Sequence, residues 1–248
     1  TYAVCQIQEN SLEKYGADVD DSVNYQVYNN FPADKRTSKA VQDTKGQILC
    51  QNGEPITAYY FSTSAGRTST DEIWGADRSA AYLKSVECDF DQNMPWSSWS
   101  VEIPWETLEN RSGNLEGSGE FIGLQVIKKN ISGAVTGMEI VTENKSIQLE
   151  GEYEIRQFLS PAGCLITEKD GSIVNGSNLL PSAYFELNVK SGKAVQIQGK
   201  GYGHGVGMSQ NGANEMAREG YGWQEILNYF FKDITLEMVG NNLSKWET

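Results

Sequence analysis

The chain has 248 residues, 39% of them apolar and 10% aromatic, which is enough material for the core of one large domain or two small ones. It carries 33 acidic residues against 20 basic ones, and the resulting net charge of −13 opposes nonspecific nucleic-acid binding, which depends on Lys and Arg neutralising phosphates. No apolar run reaches the length of about 20 residues that a membrane-spanning helix needs, and the first residues lack the charged and apolar regions of a signal peptide. The composition predicts a globular protein and excludes nucleic acid as a partner.

Four cysteines lie far apart in the sequence, at Cys5, Cys50, Cys88 and Cys164. They form no Cys-x-x-Cys pair and have no histidine nearby, so neither a zinc ribbon nor a thioredoxin-like motif is present. Four cysteines allow three complete pairings, whereas their wide spacing fits buried thiols equally well. The disulfide pairing is therefore left open.

The predicted elements at the start of the chain are short. Residues 1–8 form an apolar segment without an N-cap, as if it were the end of an element begun upstream. Residues 16–22 are polar and acidic and predict a solvated loop, because the glycine and glutamate that an EF-hand calcium loop needs at fixed positions are missing. A strand is predicted at 25–28, and a helical turn ending in glycine at 39–46.

The next two apolar runs, 47–50 and 56–61, predict a β-hairpin. Asn52 and Gly53 between them form a dipeptide that is typical of a tight hairpin turn. A loop of small and hydroxyl-bearing residues follows at 62–70, and its composition alone is typical of an ordinary flexible turn.

Short apolar runs alternate with turn-forming residues through the middle of the chain. Strands are predicted at 121–127 and 137–142, and a helix near 153–159. Two further helices are predicted near the end of the chain, the second of them at 223–231.

These elements predict an α+β fold, with a mostly β core, several short helices and a β-rich inserted subdomain. We expect a single domain over 1–248. Its core would comprise residues 1–95 and 199–248, and the insert would span about 96–198.

Glycine occupies every second position from Gly199 to Gly207, and the same run contains His204, the only histidine of the chain. On an extended backbone this alternation leaves one face without side chains. Repeated glycines indicate close approach of another backbone or of a ligand, or turns with positive φ. Ser209, which follows the run, is suited to cap a helix.

Nucleotide binding by this run is not expected. The run lacks the dinucleotide pattern after a clear strand with an acidic residue about 20 residues later, and it does not end in Gly-Lys-Ser/Thr. A lone histidine is more often structural than catalytic, and a metal site at His204 would need carboxylates or cysteines from elsewhere. We favour a functional His204 and predict neither a metal nor a cofactor.

Several separated motifs occur together over nearly the whole chain. They are Thr1-Tyr2-Ala3, Tyr25-Gln26-Val27-Tyr28, Ala40-Val41 with 44–49, the loop 62–68, Ile73-Trp74-Gly75, 82–86, and the run 201–213. With these motifs the chain resembles the catalytic domain of the stage II sporulation protein D family, which also includes the amidase-enhancer proteins. The run 201–213 is the most specific motif of the set.

The resemblance implies a peptidoglycan lytic transglycosylase, which cuts the glycan strand between N-acetylmuramic acid and N-acetylglucosamine and leaves 1,6-anhydro ends during engulfment. One carboxyl group suffices for this reaction, because it protonates the leaving oxygen and then deprotonates the sugar's own 6-hydroxyl. We expect two polar loops to bind the glycan. The expected substrate-binding residues are Ser62, Ser64, Tyr202, His204, Ser209 and Gln210.

Two departures from the family pattern modify these expectations. The family's catalytic glutamate lies upstream of the motif at which this chain begins, so we expect it before Thr1 and expect the chain alone to be inactive. Glu72 is an internal alternative, although its place beside an apolar pair favours a structural role. Zinc-binding members use a His-Cys pair where this chain has Asn24 and Tyr25, so no zinc is expected.

A second hypothesis is a non-catalytic peptidoglycan-binding module that stimulates or localises a partner amidase. The expected partners are peptidoglycan glycan strands, with other cell-wall hydrolases or engulfment proteins. The resemblance also implies a place outside the cytoplasm, in the cell envelope, with a membrane anchor in a segment that this chain does not contain.

Overall fold

The computed structural model describes residues 31–239 except 116 and 118, and in addition residues 1, 4, 5, 16 and 17. It is a mixed α+β structure in which strands predominate, which confirms the predicted fold class. The chain divides into two compact units, formed by Thr1–Tyr59 with Asp233–Thr248 and by Tyr60–Lys232. The predicted boundaries of the β-rich insert stay a prediction.

Short elements follow one another along the chain. The helices are α1 (Lys35–Asp43), α2 (Trp105–Gly113), α3 (Glu152–Phe158), α4 (Gln210–Arg218) and α5 (Trp223–Phe230). The strands are β1 (Gln47–Gln51), β2 (Glu54–Pro55), β3 (Tyr60–Phe61), β4 (Gly66–Arg67), β5 (Glu87–Cys88), β6 (Trp99–Pro104), β7 (Phe121–Lys129), β8 (Val135–Thr142), β9 (Ser146–Glu150), β10 (Leu165–Glu168), β11 (Ile173–Asn175), β12 (Phe185–Lys190), β13 (Ala194–Gly199), β14 (Met208–Ser209) and β15 (Thr235–Met238). Single 3₁₀ turns lie at Asp71–Trp74 and Pro95–Ser97.

The first unit contains α1 and an antiparallel sheet in the order β15-β1-β2. Asn52 and Gly53 have positive φ, 56° and 82°, as a tight hairpin turn of this kind requires, so the predicted turn is confirmed. The predicted second strand, 56–61, is wrong in extent. β2 ends at Pro55, and Tyr60–Phe61 pairs in parallel with β14, a long-range contact that the local sequence does not contain.

The second unit is built on an antiparallel sheet in the order β11-β10-β6-β13-β12. Buried and exposed residues alternate along β6, so that Trp99, Val101 and Ile103 face the core. A second sheet, β7-β8-β9, contributes Met138 to the same hydrophobic cluster, and α3 contributes Ile155. The predicted strands and helix in this part of the chain are confirmed as β7, β8 and α3.

Two short strand pairs and two helices surround the glycine-rich run. β3 pairs with β14, and β4 pairs antiparallel with β5. The hydroxyl oxygen of Ser209 accepts a hydrogen bond from the Gly212 amide at 3.2 Å, so the predicted N-cap of α4 is confirmed. The predicted final helix is confirmed as α5.

Some sequence predictions lie outside the described residues, among them the strand at 25–28 and most of segments 1–8 and 16–22. The four cysteines are thiols in the structure. Within the described part of the chain, no helix has the length and apolar character needed to span a bilayer.

Gly199 gives a direct test of the packing at the end of β13. A Cβ at this position would overlap the indole ring of Trp99, which is buried beneath it. We expect Gly199→Ala to lower the free energy of unfolding by about 3 kcal/mol, because a close-packed core does not accommodate the extra methyl group. Urea denaturation followed by circular dichroism measures this change.

Gly123→Ala is the matched control, because Gly123 also lies in a strand and no atom lies within 4 Å of its added Cβ. We expect this control to change the free energy of unfolding by less than about 1 kcal/mol. Equal stabilities of the two variants would contradict the packing described at Gly199.

Candidate functional site

The glycine-rich run does not continue as a straight strand after β13. Gly201, Gly203, Gly205 and Gly207 have positive φ values between 76° and 109°. L-residues rarely adopt such values, because their Cβ atoms collide with the backbone. The alternation of glycine therefore reflects a backbone that turns at every second residue.

Protein atoms also fill the side of the run that lacks side chains. A Cβ added at Gly201 would lie 2.9 Å from the carbonyl oxygen of Thr63. One added at Gly205 would lie 2.5 Å from the hydroxyl oxygen of Tyr184. The glycines thus let the run pack closely against its own protein, which is a different role from exposing a bare face to a ligand.

Backbone hydrogen bonds join the run to the hydroxyl-rich loop. The amide of Tyr202 donates to the carbonyl of Thr63 at 2.9 Å, and the Thr63 amide donates back at 3.2 Å. Further along, the Ser69 amide donates to the carbonyl of Gly205 at 2.7 Å. Two segments that are distant in sequence therefore form one rigid structure.

A buried carboxylate, Asp91, connects the hydroxyl-rich loop to the start of α4. Its Oδ2 accepts hydrogen bonds from the Ser64 amide at 2.7 Å and the Ser209 hydroxyl at 2.6 Å. The Ser64 hydroxyl, which carries one proton, lies 2.7 Å from both Asp91 Oδ1 and the Cys88 carbonyl oxygen. Asp91 and both serines are buried, and the N-terminus of a helix favours a negative charge beside it. The serines are thus oriented toward the interior.

Cys88 lies beneath the same helix. A Cβ added at Gly212 would lie 2.7 Å from the Cys88 Sγ. Burial, together with the nearby carboxylate of Asp91, raises the pKa of the Cys88 thiol to about 12. A thiol of this kind stays protonated at neutral pH and is a packing residue, since nucleophilic cysteines need a low pKa.

His204 is half-buried and bonded through both ring nitrogens. Its Nδ1 accepts a hydrogen bond from the Val206 amide at 3.0 Å, and its Nε2 lies 3.1 Å from the Tyr60 carbonyl oxygen. A carbonyl oxygen only accepts, so the proton is on Nε2 and the ring is neutral. Burial lowers the pKa of His204 from 6.5 to about 4, against the opposite effects of the Glu152 carboxylate and the bond to Tyr60.

Aromatic rings enclose His204. The indole of Trp74 lies 5.1 Å from the imidazole between ring centroids, and the ring of Phe61 lies at 5.8 Å. Such distances and the tilted orientations are typical of favourable aromatic pairs. With its nitrogens bonded and its pKa well below neutrality, His204 is suited to positioning its neighbours, whereas a general base would need a pKa near the working pH.

A buried ion pair holds the edge of Trp74. The indole Nε1–H donates to Glu152 Oε1 at 3.2 Å, and Arg156 donates to Glu152 Oε2 at 2.8 Å. Both charged side chains are buried. Arg156 also donates to the carbonyls of Leu180 and Pro181, so the pair is fixed to the chain that passes behind the run.

Known proteins are similar in sequence to most of this chain. The chain is 30% identical to stage II sporulation protein D of Bacillus subtilis (strain 168) over 86% of its length, and 29% identical to the Bacillus amyloliquefaciens protein of the same name over 95%. It is also 27% identical to the amidase enhancer of Bacillus subtilis (strain 168) over 91%. The chain belongs to the stage II sporulation protein D family.

A family model described as a domain of unknown function (DUF8618) also matches this family member, at residues 81–207, so the chain belongs to that family too. The matched regions cover 54% and 64% of the two stage II sporulation D proteins and 36% of the amidase enhancer. The chain therefore spans about a third to two thirds of the length of these relatives.

The six site residues predicted from the family resemblance fall into two groups. Ser64, Ser209 and His204 make their hydrogen bonds inside the protein, as described above. Ser62 is half-buried, whereas Tyr202 and Gln210 are exposed. Glycan binding by these residues stays a prediction, and within the second group Tyr202 and Gln210 have the exposure that direct contact requires.

The exposed members of the site lie among neutral polar groups. The hydroxyl of Ser62 lies 3.2 Å from that of Thr63, whose oxygen accepts from the Asn211 side chain at 2.9 Å. Tyr202 pairs by its backbone with Thr63, and its ring lies 4.6 Å from that of Trp96. Hydroxyl, amide and aromatic groups of this kind are suited to binding a sugar.

Sequence reasoning missed Asp91, Glu152 and the contact of Trp74 with His204. Asp91 lies in a segment without a motif, and Glu152 begins a helix on which it resembles an ordinary first-turn acid. Trp74 lies within the Ile73-Trp74-Gly75 motif, and that motif is the one signal for it in the sequence. Glu72 is exposed and accepts a hydrogen bond from Thr70 at 2.9 Å.

Asp91→Ala tests the buried carboxylate. It removes both carboxylate oxygens and leaves the buried Ser64 amide without its acceptor. We expect a loss of about 2–4 kcal/mol in the free energy of unfolding by urea denaturation. Asp77→Ala, at an exposed position, should change it by less than about 0.5 kcal/mol. Equal effects would contradict the role of Asp91.

The only histidine of the chain allows a clean NMR titration. We expect His204 to titrate near pH 4 in the folded chain and near 6.5 in urea, with the Nε2–H tautomer at neutral pH. The unfolded chain binds the proton more tightly, so stability falls as the pH is lowered from about 6.5 to 4, by up to about 3 kcal/mol. A folded-state titration near 6.5 would contradict this assignment.

Proposed function

We propose that the chain acts on the peptidoglycan of the bacterial cell wall during sporulation, as the glycan-binding part of a lytic transglycosylase. The observation that carries the proposal is that exposed and half-buried side chains of aromatic and neutral polar type lie around the glycine-rich run. Tyr202 and Ser62 are brought together by the pairing of Tyr202 with Thr63, and the Asn211 amide beside Gln210 donates to the Ser62 carbonyl at 3.0 Å. The names of the stage II sporulation D relatives support the sporulation context.

The negative net charge of the chain favours uncharged contacts with the glycan. Its net charge of −13 gives no overall attraction to a polymer that itself carries carboxylates, which favours binding through hydrogen bonds and stacking on sugar rings. Hydroxyls and amides provide the hydrogen bonds, and aromatic rings provide apolar faces. The site around Tyr202 supplies both kinds of group.

The catalytic acid of this proposal is a glutamate expected before Thr1. Near the glycine-rich run, the described carboxylates have other partners: Asp91 is bonded to buried serines, and Glu152 is paired with Arg156. Glu72 is exposed and accepts a hydrogen bond from Thr70. Protonation of the glycosidic oxygen would then be followed by attack of the sugar's 6-hydroxyl on the anomeric carbon, which returns the proton to the same carboxylate.

A second function is a peptidoglycan-binding module that stimulates a partner amidase. The similarity to the amidase enhancer, which extends over 91% of this chain, favours it. Both functions require glycan binding, and they differ in whether the glycan strand is cut. In either case we propose that the protein works in the cell envelope outside the cytoplasm, anchored to the membrane, with cell-wall hydrolases or engulfment proteins as partners.

One experiment distinguishes the two functions. The full-length protein and the 248-residue chain are each incubated with glycan strands freed of stem peptides, and products are analysed by mass spectrometry for 1,6-anhydromuramyl ends. We expect the full-length protein to produce these ends, and the chain to bind the strands without cutting them.

Three other outcomes would change the proposed function. Binding without cleavage by the full-length protein, together with faster release of stem peptides by an amidase, would replace the first function by the second. Cleavage by the chain alone would locate the acid within it, and Glu72→Gln would test that position. Absence of binding by both proteins would overturn both functions.

A further inference from the structure

Trp74 combines wide exposure with a fixed orientation. Its side chain lies on the 3₁₀ turn Asp71–Trp74, where the neighbouring Ile73 is buried and anchors the turn. Gly75 ends the turn with a φ of +88°, and its amide donates to the Glu72 carbonyl at 3.0 Å. Even so, 40% of Trp74 remains accessible to solvent.

The indole has two fixed neighbours. Its N–H donates to Glu152, and the neutral ring of His204 lies 5.1 Å away between ring centroids, at an interplanar angle of 57°. The His204 ring is in turn fixed by the Val206 amide and the Tyr60 carbonyl. An exposed tryptophan usually has rotamer freedom that it would lose on binding, and this one has already lost it.

The buried ion pair behind the indole joins α3 to the carbonyls of Leu180 and Pro181, but its charges are costly to bury. Removing two charges from water costs several kcal/mol per ion, and apolar residues of similar volume often replace such pairs without loss. Glu152 and Arg156 are nevertheless both buried, and one carboxylate oxygen is directed to the indole N–H. This arrangement is explained if a fixed orientation of the Trp74 side chain is needed for binding a ligand.

We propose that the exposed part of Trp74 is a stacking subsite for a sugar ring of the glycan strand, and that Glu152 and His204 are its positioning residues. The inference rests on the proposed function and adds a binding residue to it. The apolar C–H face of a β-1,4-linked N-acetylglucosamine or N-acetylmuramic acid ring would lie on the indole. No charge is involved, which is consistent with a chain of net charge −13.

The test uses chitotetraose, a β-1,4-linked tetramer of N-acetylglucosamine, and isothermal titration calorimetry with the 248-residue chain. We expect Trp74→Ala to weaken binding by about tenfold or more, as truncation of a central tryptophan commonly does. Trp74→Phe keeps an aromatic ring but lacks the N–H, so a smaller loss is expected. Raising the salt from 50 to 300 mM, which screens charge interactions, should leave the affinity unchanged.

Trp223→Ala is the matched control, because Trp223 is 42% exposed on α5 and is not part of this site. We expect it to change the affinity less than twofold. Thermal melts of each variant show whether the chain remains folded. In the unmodified chain, chitotetraose should shift the indole N–H resonance of Trp74, which is assigned by its absence from the spectrum of Trp74→Phe.

These measurements separate the two proposals. If the unmodified chain binds chitotetraose and folded Trp74→Ala binds equally well, the subsite is wrong and the proposed glycan binding stands. If Trp74→Ala does not fold, the NMR titration of the unmodified chain decides. A Trp74 indole resonance that does not shift when chitotetraose binds would likewise show that the subsite is wrong. If the unmodified chain binds neither chitotetraose nor natural glycan strands, both proposals are overturned.

Discussion

The site depends on one buried carboxylate. Asp91 accepts hydrogen bonds from Ser64 in the hydroxyl-rich loop and from Ser209 at the start of α4. The loop and the helix are also joined by the two-residue strands β3 and β14, which are too short to fix a geometry by themselves, and by Asn211, whose side chain donates to the Thr63 hydroxyl oxygen at 2.9 Å. A buried carboxylate requires several good donors, and this one accepts short bonds from the Ser64 amide and the Ser209 hydroxyl, with the Ser64 hydroxyl also 2.7 Å from its Oδ1. These bonds help to fix the loop that contains Ser62 relative to the start of α4, where Gln210 lies.

Local signals predicted much of this fold. The Asn52-Gly53 turn, the Ser209 cap and the strands β7 and β8 were all evident from residue type and periodicity. Long-range pairings were not, because the parallel pairing of Tyr60–Phe61 with Met208–Ser209 has no local signature. The sequence also could not distinguish a serine directed to solvent from one directed to a buried Asp91.

The glycine-rich run has a different meaning in the structure from the one that its alternation first suggests. Positive φ at Gly201, Gly203, Gly205 and Gly207 turns the backbone, and neighbouring protein fills the glycine side. The only histidine, His204, is neutral and supports Trp74. The glycines are thus explained by the positive φ values and close packing of the backbone. Membership of the stage II sporulation protein D family makes the exposed groups around them the candidates for ligand binding.

The central claim is that glycan binds around the glycine-rich run. Chemical-shift mapping on a ¹⁵N-labelled chain, titrated with glycan fragments freed of stem peptides, tests it most directly. We predict that the largest backbone changes fall on the segments around Ser62 and Tyr202. The outer face of the five-stranded sheet has a shallow cavity of about 370 Å³, bordered by Ser100, Thr167 and Gln198, and it should be unaffected. Changes confined to that face, or none at all, would contradict the account.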